Sequence, residues 1–310
     1  MSAPRKKTWR QLHGIVLLDK AKGLSSNHAL QQVRRLFQAE KAGHTGSLDP
    51  LATGLLPVCF GKATRVSGLL LDADKSYSVC ALLGQRTDTA DADGEVIEER
   101  PVPPLELAQV EAVVARFVGE VDQVPPMYSA LKHKGQRLYE LARKGIEVER
   151  PARRVRFDRI TIDRLEGSEG SELCLSLRCS KGAYVRTLVE DIGEALGCGA
   201  HVTMLRRTGL GPFMDQPLMY TFDELQKLAE GGQDALDRVI LPTDSALTGY
   251  PAISLDADST FRIRHGHPVF VAHAPTEGWF RIYGADGLFL GLGEVLDDGR
   301  VAPRRLLAAL

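Results

Sequence analysis

The sequence predicts an α+β fold: a mixed, largely antiparallel sheet flanked by helices and loops, with a small β-rich domain at the C-terminal end. Three observations predict it. Two segments alternate with a period of two, "SYSVCALLG" through Tyr77, Val79, Ala81 and Leu83, and "ELCLSLRCS" through Leu173, Leu175, Leu177 and Cys179. That is the pattern of a half-buried strand. Helical patterns also occur, but they do not alternate regularly with the strands as βαβ units would. Beyond Pro242–Pro251 the chain breaks into short apolar runs interrupted by Gly, Asp and His, such as "RIRHGHPVF" and "RIYGADGLFLGLGEVL".

"GIVLLDK" (Gly14–Lys20) is an apolar run of strand length. Ser25 or Ser26 then caps a helix expected to run to about Ala39, with Leu30, Val33 and Phe37 on one face. A Gly-rich segment around Asp49 follows, and then the first alternating strand. The acidic "RTDTADADGE" turns the chain, and Leu107, Val110, Val114 and Phe117 mark a second helix. After the second alternating strand, "AYVRTLVEDIGEALG" carries Val185, Leu188, Val189, Ile192 and Leu196 at helical spacing and stops at Gly197. The expected division is residues 1–245 for the larger domain and 250–310 for the smaller.

A chain of 310 residues with 44% hydrophobic and 25% charged residues has the composition of an ordinary globular protein. The basic start "MSAPRKKTWRQLHG" is followed by no apolar core, so no signal peptide is expected. The longest apolar-leaning uncharged run, Pro50 to Gly61, is too short to span a bilayer. Five cysteines without a CxxC pair are expected to be reduced core thiols of a cytoplasmic protein. Nothing readable demands an oligomer, so a monomer is expected.

Net charge is −1, yet its distribution is uneven. Between Leu131 and Arg156 nine Lys/Arg face three Glu, an excess of 9 − 3 = +6. Such clustering fits a phosphate-binding surface, though a solvated charged face has the same composition.

Several motifs fail on inspection. "GLLPVCFGKAT" puts six residues between Gly54 and Gly61 where a phosphate loop needs four, and Ala63 follows Lys62 in place of Ser/Thr. "TADADGE" lacks the calcium-binding Glu, because Arg100 stands at the twelfth position counted from Thr89. The eight His are scattered, and His265 with His267 has no evident third ligand. Neither a metal nor a cofactor is therefore expected.

Asp49 is the residue that asks for a reason. In "AGHTGSLDPLATGLL" it precedes Pro50 within small and apolar residues, where no neighbour in sequence pairs with it. Taken alone, Asp-Pro is a turn. Four segments taken together say more: Lys20 in "LLDKAKGLSSN", Asp49 in "GHTGSLDPLATGLLPVCFGKATR", Tyr77 in "DKSYSV", and Tyr184 with Arg186 in "CSKGAYVRTLVEDIG". In this order, with "RTDTADADGE" and "LRRTG", they closely resemble the TruB family of pseudouridine synthases, which act on the T-loop of tRNA. The resemblance runs from about Gly14 to Leu210. One departure is Lys20-Ala21, where family members often read Lys-Pro.

The resemblance implies the pseudouridine synthase fold, a PUA-like RNA-binding C-terminal domain, and the isomerisation of uridine 55 of tRNA. Uracil would leave N1, turn, and rejoin the ribose through C5. Hydrolytic glycosidases usually use two carboxylates. A retained base needs only a nucleophile, and Asp49 matches it. Burial among apolar neighbours alone would raise its pKa, so a cation must offset this. Arg186 matches the arginine that pairs with the Asp, expected here as a bidentate partner. Tyr77 would stack on the uracil and handle a proton. Tyr184 and Leu205 would line the base pocket, Lys20 would brace the Asp49 loop, and His44 would fill the gap left by flipped nucleotides. Gly43, Gly46 and Gly54 would let the loop approach RNA closely, and the basic segment, 123–156, would clamp phosphates.

A rival from another class is an RNA-binding protein that remodels tRNA without chemistry. The basic segment serves both readings, whereas Asp49 with Arg186 serves only the enzyme.

Overall fold

A computed structural model describes residues 9–166, 171–214 and 217–307. The basic residues 1–8 lie outside the described residues. The first strands and helices are β1 (Gly14–Lys20), α1 (Ser26–Leu36), β2 (Ala42–His44), β3 (Thr53–Phe60), α2 (Ser67–Leu71) and β4 (Lys75–Leu83). A hairpin of β5 (Gln85–Thr87) and β6 (Val96–Glu99) precedes α3 (Leu107–Ala115) and β7 (Gly119–Gln123). Next come β8 (Lys132–His133), β9 (Gln136–Arg137), α4 (Leu138–Ala142), β10 (Arg153–Glu166) and β11 (Glu172–Cys179). Then follow α5 (Val185–Ala195), β12 (Ala200–Leu210), α6 (Phe222–Glu230) and α7 (Gln233–Asp237). The C-terminal part holds β13 (Ala252–Ser254), α8 (Ala257–Arg264), β14 (Trp279–Tyr283), β15 (Phe289–Val295) and β16 (Val301–Leu306).

The central sheet has eight strands in the order β1-β3-β12-β4-β11-β10-β7, with β2 added beside β3. All its pairs are antiparallel except β12 with β3. The α+β expectation holds, and the two alternating segments are β4 and β11 at the centre. Val79, Ala81 and Leu83 are buried while Ser76, Ser78 and Cys80 are half-buried, so only one face of β4 is fully covered. Helix α5 packs on β12 and β4, and α3 packs on β10 and α5.

Local chemistry accounts for the helix ends. The Ser25 side chain accepts a hydrogen bond from the His28 backbone N–H, capping α1. The helix stops at Leu36, short of the expected Ala39, because Gln38 turns to φ 54°. Helix α5 buries Val185, Leu188, Val189 and Ile192, and Gly197 ends it at φ 86°.

The smaller sheet, in the order β13-β14-β15-β16, encloses Ile253, Ile263, Phe280, Ile282, Leu290 and Val301. Leu292 and Leu307 instead join Ile15, Leu17, Leu55 and Leu247 in a core shared with the main sheet. The β-rich C-terminal character read from the sequence is present.

The cysteine expectation needs correction. Cys80 and Cys174 face each other across β4 and β11 and are joined as a disulfide, so only Cys59, Cys179 and Cys198 are free buried thiols. Alternation placed each cysteine on its own strand, but only the register of two distant strands sets them opposite.

Candidate active site

The segment between β2 and β3 carries Asp49 at the entrance of a cavity of about 190 Å³. Ser47, Leu48, Tyr77, Ser129, Ala130, Tyr184, Arg186 and Leu205 complete most of its lining. Tyr77 comes from β4, Leu205 from β12, and Tyr184 and Arg186 from the start of α5. Five residues singled out from sequence therefore converge on one space: Asp49, Tyr77, Tyr184, Arg186 and Leu205. Strand β12 lies between β3 and β4, so the Asp49 loop and Tyr77 reach the cavity from its two neighbours.

Arg186 is 5% exposed and every nitrogen of its guanidinium has an oxygen to meet. Nε lies 3.0 Å from Asp49 Oδ2, and Nη1 lies 3.4 Å from Asp91 Oδ2. Nη1 also donates to the Thr89 carbonyl at 2.7 Å, and Nη2 to the Tyr128 carbonyl at 2.7 Å. The expected bidentate grip on Asp49 is absent. The other edge of the fork is held by the acidic turn and by Tyr128, so Asp49 receives one contact and keeps an oxygen uncommitted to Arg186.

The electrostatic balance at Asp49 also differs from expectation. Burial pushes the carboxyl up, Arg186 pulls it down, Asp91 pushes it up and Lys20 pulls it down; the outcome lies above the ordinary value. A nearby guanidinium thus limits the effect of burial without cancelling it. The side chain still has 41% of its surface open, as attack on a ligand requires.

Lys20 is 1% exposed and donates to the carbonyls of Ala21 at 2.9 Å, Leu24 at 2.7 Å and Pro50 at 3.4 Å. It ties the end of β1 to the peptide after Asp49. Burial lowers its pKa to about 8, with Asp49 opposing and Arg207 assisting that shift. His44 does not line the cavity. It is the last residue of β2, and its buried Nδ1 has no hydrogen-bond partner among the described residues.

Four residues of the site escaped sequence reasoning. Asp91 and Thr89 hold Arg186 from the acidic turn, and Tyr128 does so from the basic excursion. The Tyr128 hydroxyl also donates to Asp88 at 3.0 Å, linking those two segments. The fourth is Arg207, 1% exposed on β12, in register with Tyr77 on one side and Gly54 on the other. Its Nε donates to the Leu55 carbonyl at 2.7 Å and its Nη2 to Gly46 at 3.3 Å. It forms no ion pair with a carboxylate among the described residues. Burial pushes the Tyr77 phenol up, and the charge of Arg207 pulls it partway back. "RTDTADADGE" and "LRRTG" were legible as motifs, but nothing local shows which of their side chains turn inward.

The glycine expectation changes as well. Gly54 sits at φ 94°, and a Cβ there would lie 2.3 Å from the Arg207 carbonyl oxygen. Strand packing against β12, rather than approach to RNA, accounts for this glycine. A Cβ on Gly43 would meet only Thr64, at an ordinary 3.7 Å.

The basic segment leaves the sheet at Gln123 and returns at Arg153, which pair across β7 and β10. Arg150, Arg154 and Arg156 are engaged with acidic neighbours. Lys132, Lys134, Arg137, Arg143, Lys144 and Arg153 are exposed and form no ion pair among the described residues. Gln123 anchors the base of the excursion beside the cavity: its amide accepts from the Tyr184 N–H at 3.0 Å and donates to the Tyr184 carbonyl at 3.2 Å.

A larger cleft of about 720 Å³ lies in the C-terminal part, lined by Glu277, Glu294 and Asp297 among others. It lacks the convergence of acid, arginine and aromatic walls, and its acidic lining suits neither RNA nor the chemistry above. The smaller cavity is the candidate site.

Similarity to known proteins places the chain first among the pseudouridine synthases. Residues 34–185 match the model of the TruB family pseudouridylate synthase N-terminal domain. Residues 186–248 match the tRNA pseudouridylate synthase B C-terminal domain, and 251–307 match the C-terminal model of pseudouridine synthase II TruB. A tRNA pseudouridine synthase B of Nitrosococcus oceani is 51% identical over 307 residues, covering 99% of this chain and 98% of that protein. One of Ectopseudomonas mendocina is 54% identical over 303 residues, covering 97% of each. A crystal structure of a Cbf5-Nop10-Gar1 complex aligns with a TM-score of 0.73 at 25% identity, over 96% of this chain and 85% of that one. The chain belongs to the TruB family.

Proposed function

We propose that this enzyme converts uridine 55 in the T-loop of tRNA to pseudouridine, with Asp49 as the nucleophile. The observation that carries the reading is the Asp49–Arg186 pair at the mouth of a cavity walled by Tyr77, Tyr184 and Leu205. At about 190 Å³ the space is smaller than a drug-sized pocket and suits a single flipped base. Relatives about half identical over nearly the whole chain are named as tRNA pseudouridine synthases, which supports tRNA as the substrate.

Asp49 attacks the bound nucleotide and the N1–C1′ bond breaks. Uracil turns within the cavity, C5 bonds to C1′, the bond to Asp49 breaks and frees the carboxylate, the C5 proton leaves and N1 gains one. The product is an isomer, so the residues need supply no second substrate. Tyr77 stacks on the base and its phenol faces the proton traffic. Extracting a stacked base costs a few kcal/mol, whereas stacking on one aromatic returns about 1–3 kcal/mol. His44, whose Nδ1 is unpartnered, fills the space left in the T-loop. The exposed cations of residues 123–156 and the C-terminal domain hold phosphates. Residues 1–245 form the catalytic unit and 250–310 the appended RNA-binding one, acting as a cytoplasmic monomer without metal or cofactor. In keeping with this setting, no helix among the described residues is long and apolar enough to cross a membrane.

The test is tRNA carrying a labelled hydrogen at uracil C5, because isomerisation leaves the mass unchanged. Wild-type protein is expected to release the label, and Asp49→Asn to bind tRNA with normal affinity while releasing none. Turnover by Asp49→Asn would overturn the nucleophile assignment. A wild-type protein that binds and refolds tRNA without release would favour the non-catalytic rival.

A further inference from the structure

We propose that Cys80 and Cys174 form a reversible dithiol–disulfide couple on the open face of the central sheet, whose reaction partner is a low-molecular-weight disulfide such as glutathione disulfide. The two residues are directly opposed in the β4–β11 ladder, with Cα atoms 4.1 Å apart. The ladder holds both sulfurs within bonding reach.

Access and reactivity single out this pair. Cys80 shares its face of β4 with half-buried Ser76 and Ser78, and Met204, opposite it on β12, is 38% exposed. The Arg164 guanidinium lies 3.4 Å from the Cys174 sulfur. A cation at that distance favours the thiolate, the attacking form. Glu172 also lies beside Cys174, but its carboxylate is paired with Arg164. Cys174 is itself buried, 6% exposed, so a small disulfide reaches the pair through half-buried Cys80; Cys59, Cys179 and Cys198 are buried as well. Burial pushes the thiols of Cys59 and Cys179 up to about 12 and raises that of Cys198, which leaves them inert.

The chemistry balances as two exchanges. The thiolate of half-buried Cys80 attacks one sulfur of glutathione disulfide, forming a mixed disulfide and releasing one glutathione thiolate. The Cys174 thiolate, beside Arg164, then attacks the Cys80 sulfur and releases the second. The protein loses two electrons and two protons, and glutathione disulfide becomes two glutathiones. The bond ties the strand carrying Tyr77 to its neighbour three residues beyond that tyrosine, on the face away from buried Val79.

The experiment uses the full chain, reduced and then exposed to glutathione disulfide, with alkylation and peptide mass mapping under native conditions. The expected result is a cross-linked Cys80–Cys174 peptide that dithiothreitol reopens without unfolding. Cys174→Ser is expected to collect one glutathione on half-buried Cys80, roughly tenfold faster than Cys80→Ser collects it on buried Cys174. Three results would overturn the proposal. In the first, both thiols stay alkylatable after oxidation. In the second, Cys59, Cys179 or Cys198 react as fast. In the third, added zinc is held by Cys80, Cys174 and Glu172, whose ligand atoms lie within 4.8 Å of one another, and abolishes the exchange.

Discussion

Two guanidinium groups are buried near the Asp49 loop, and their surroundings differ in kind. Arg186, at the start of α5, meets two carboxylates and two carbonyls. Arg207, on β12, meets the carbonyl oxygens of Gly46 in the loop and Leu55 in β3, and no carboxylate among the described residues. The first region bears on the charge state of Asp49, the proposed nucleophile. The second sets the position of the loop and places a positive charge beside Tyr77. A buried charge is tolerable only where its donors are satisfied, and carbonyls do this without neutralising the charge.

The widest separation between the two regions is expected from Arg186→Gln. Losing the guanidinium removes the ion pair with Asp49 and leaves Asp91 uncompensated, so single-turnover release of the C5 label should fall on the order of 10³-fold, about 4 kcal/mol of barrier. The acid limb should also move. In the proposed mechanism the reactive form is ionised Asp49, whose pKa is already raised above the ordinary carboxylate value. Activity therefore fades as pH falls through that raised value, and losing the arginine pushes the limb to still higher pH. A limb that stays put would mean that Arg186 positions Asp49 without tuning it.

Arg207→Gln is expected to act more weakly, on the order of 10²-fold, because it removes charge-assisted bonds to carbonyls rather than an ion pair. The loss should fall on kcat with tRNA affinity unchanged, and Arg207→Lys should recover part of it by restoring the charge beside Tyr77. Equal loss in the Lys and Gln variants would leave only the loop-holding role.

Asp91→Asn should cost about tenfold, since the amide oxygen still accepts from Arg186. Here the acid limb should move down, because a charge that pushed the Asp49 pKa up is gone. Opposite shifts in the Arg186 and Asp91 variants, read from one pH series, would establish that the three groups share one field.

The smallest catalytic effect is expected outside both regions. Neutralising Lys132, Lys134 or Arg137 should leave the rate at saturating tRNA unchanged. Each change should weaken binding and reduce the salt slope by about 0.7–0.9 for every phosphate it leaves without its cation. A fall in saturating rate would show that the excursion also governs the site through Tyr128 and Ser129.

The legibility of this molecule follows the range of each interaction. Strands β4 and β11 and helix α5 were readable because a period of two or 3.6 is written locally. Asp49 was readable through its motif: alone, Asp-Pro reads as a turn, and the order of four segments resembling one family gave the carboxylate a role. Arg207 was not, since its neighbours along β12 are ordinary strand residues and its partners come from the loop before β3 and from β3 itself. The pairing of Cys80 with Cys174 was likewise hidden, because it depends on a register that neither strand specifies alone. Gly54 was readable as a special position but misread in purpose, for the clashing atom belongs to β12.

By itself, then, the sequence determined the element types, the motif order that marks the TruB family, and the five side chains that meet at the cavity. Tertiary structure alone decided how charge is distributed there: one contact to Asp49 instead of two, a second acid behind Arg186, and an arginine held by the Gly46 and Leu55 carbonyls. The reason is physical. Periodicity and capping act within a few residues of chain, whereas burial and Coulomb interactions act through space, between groups that only the folded sheet brings together.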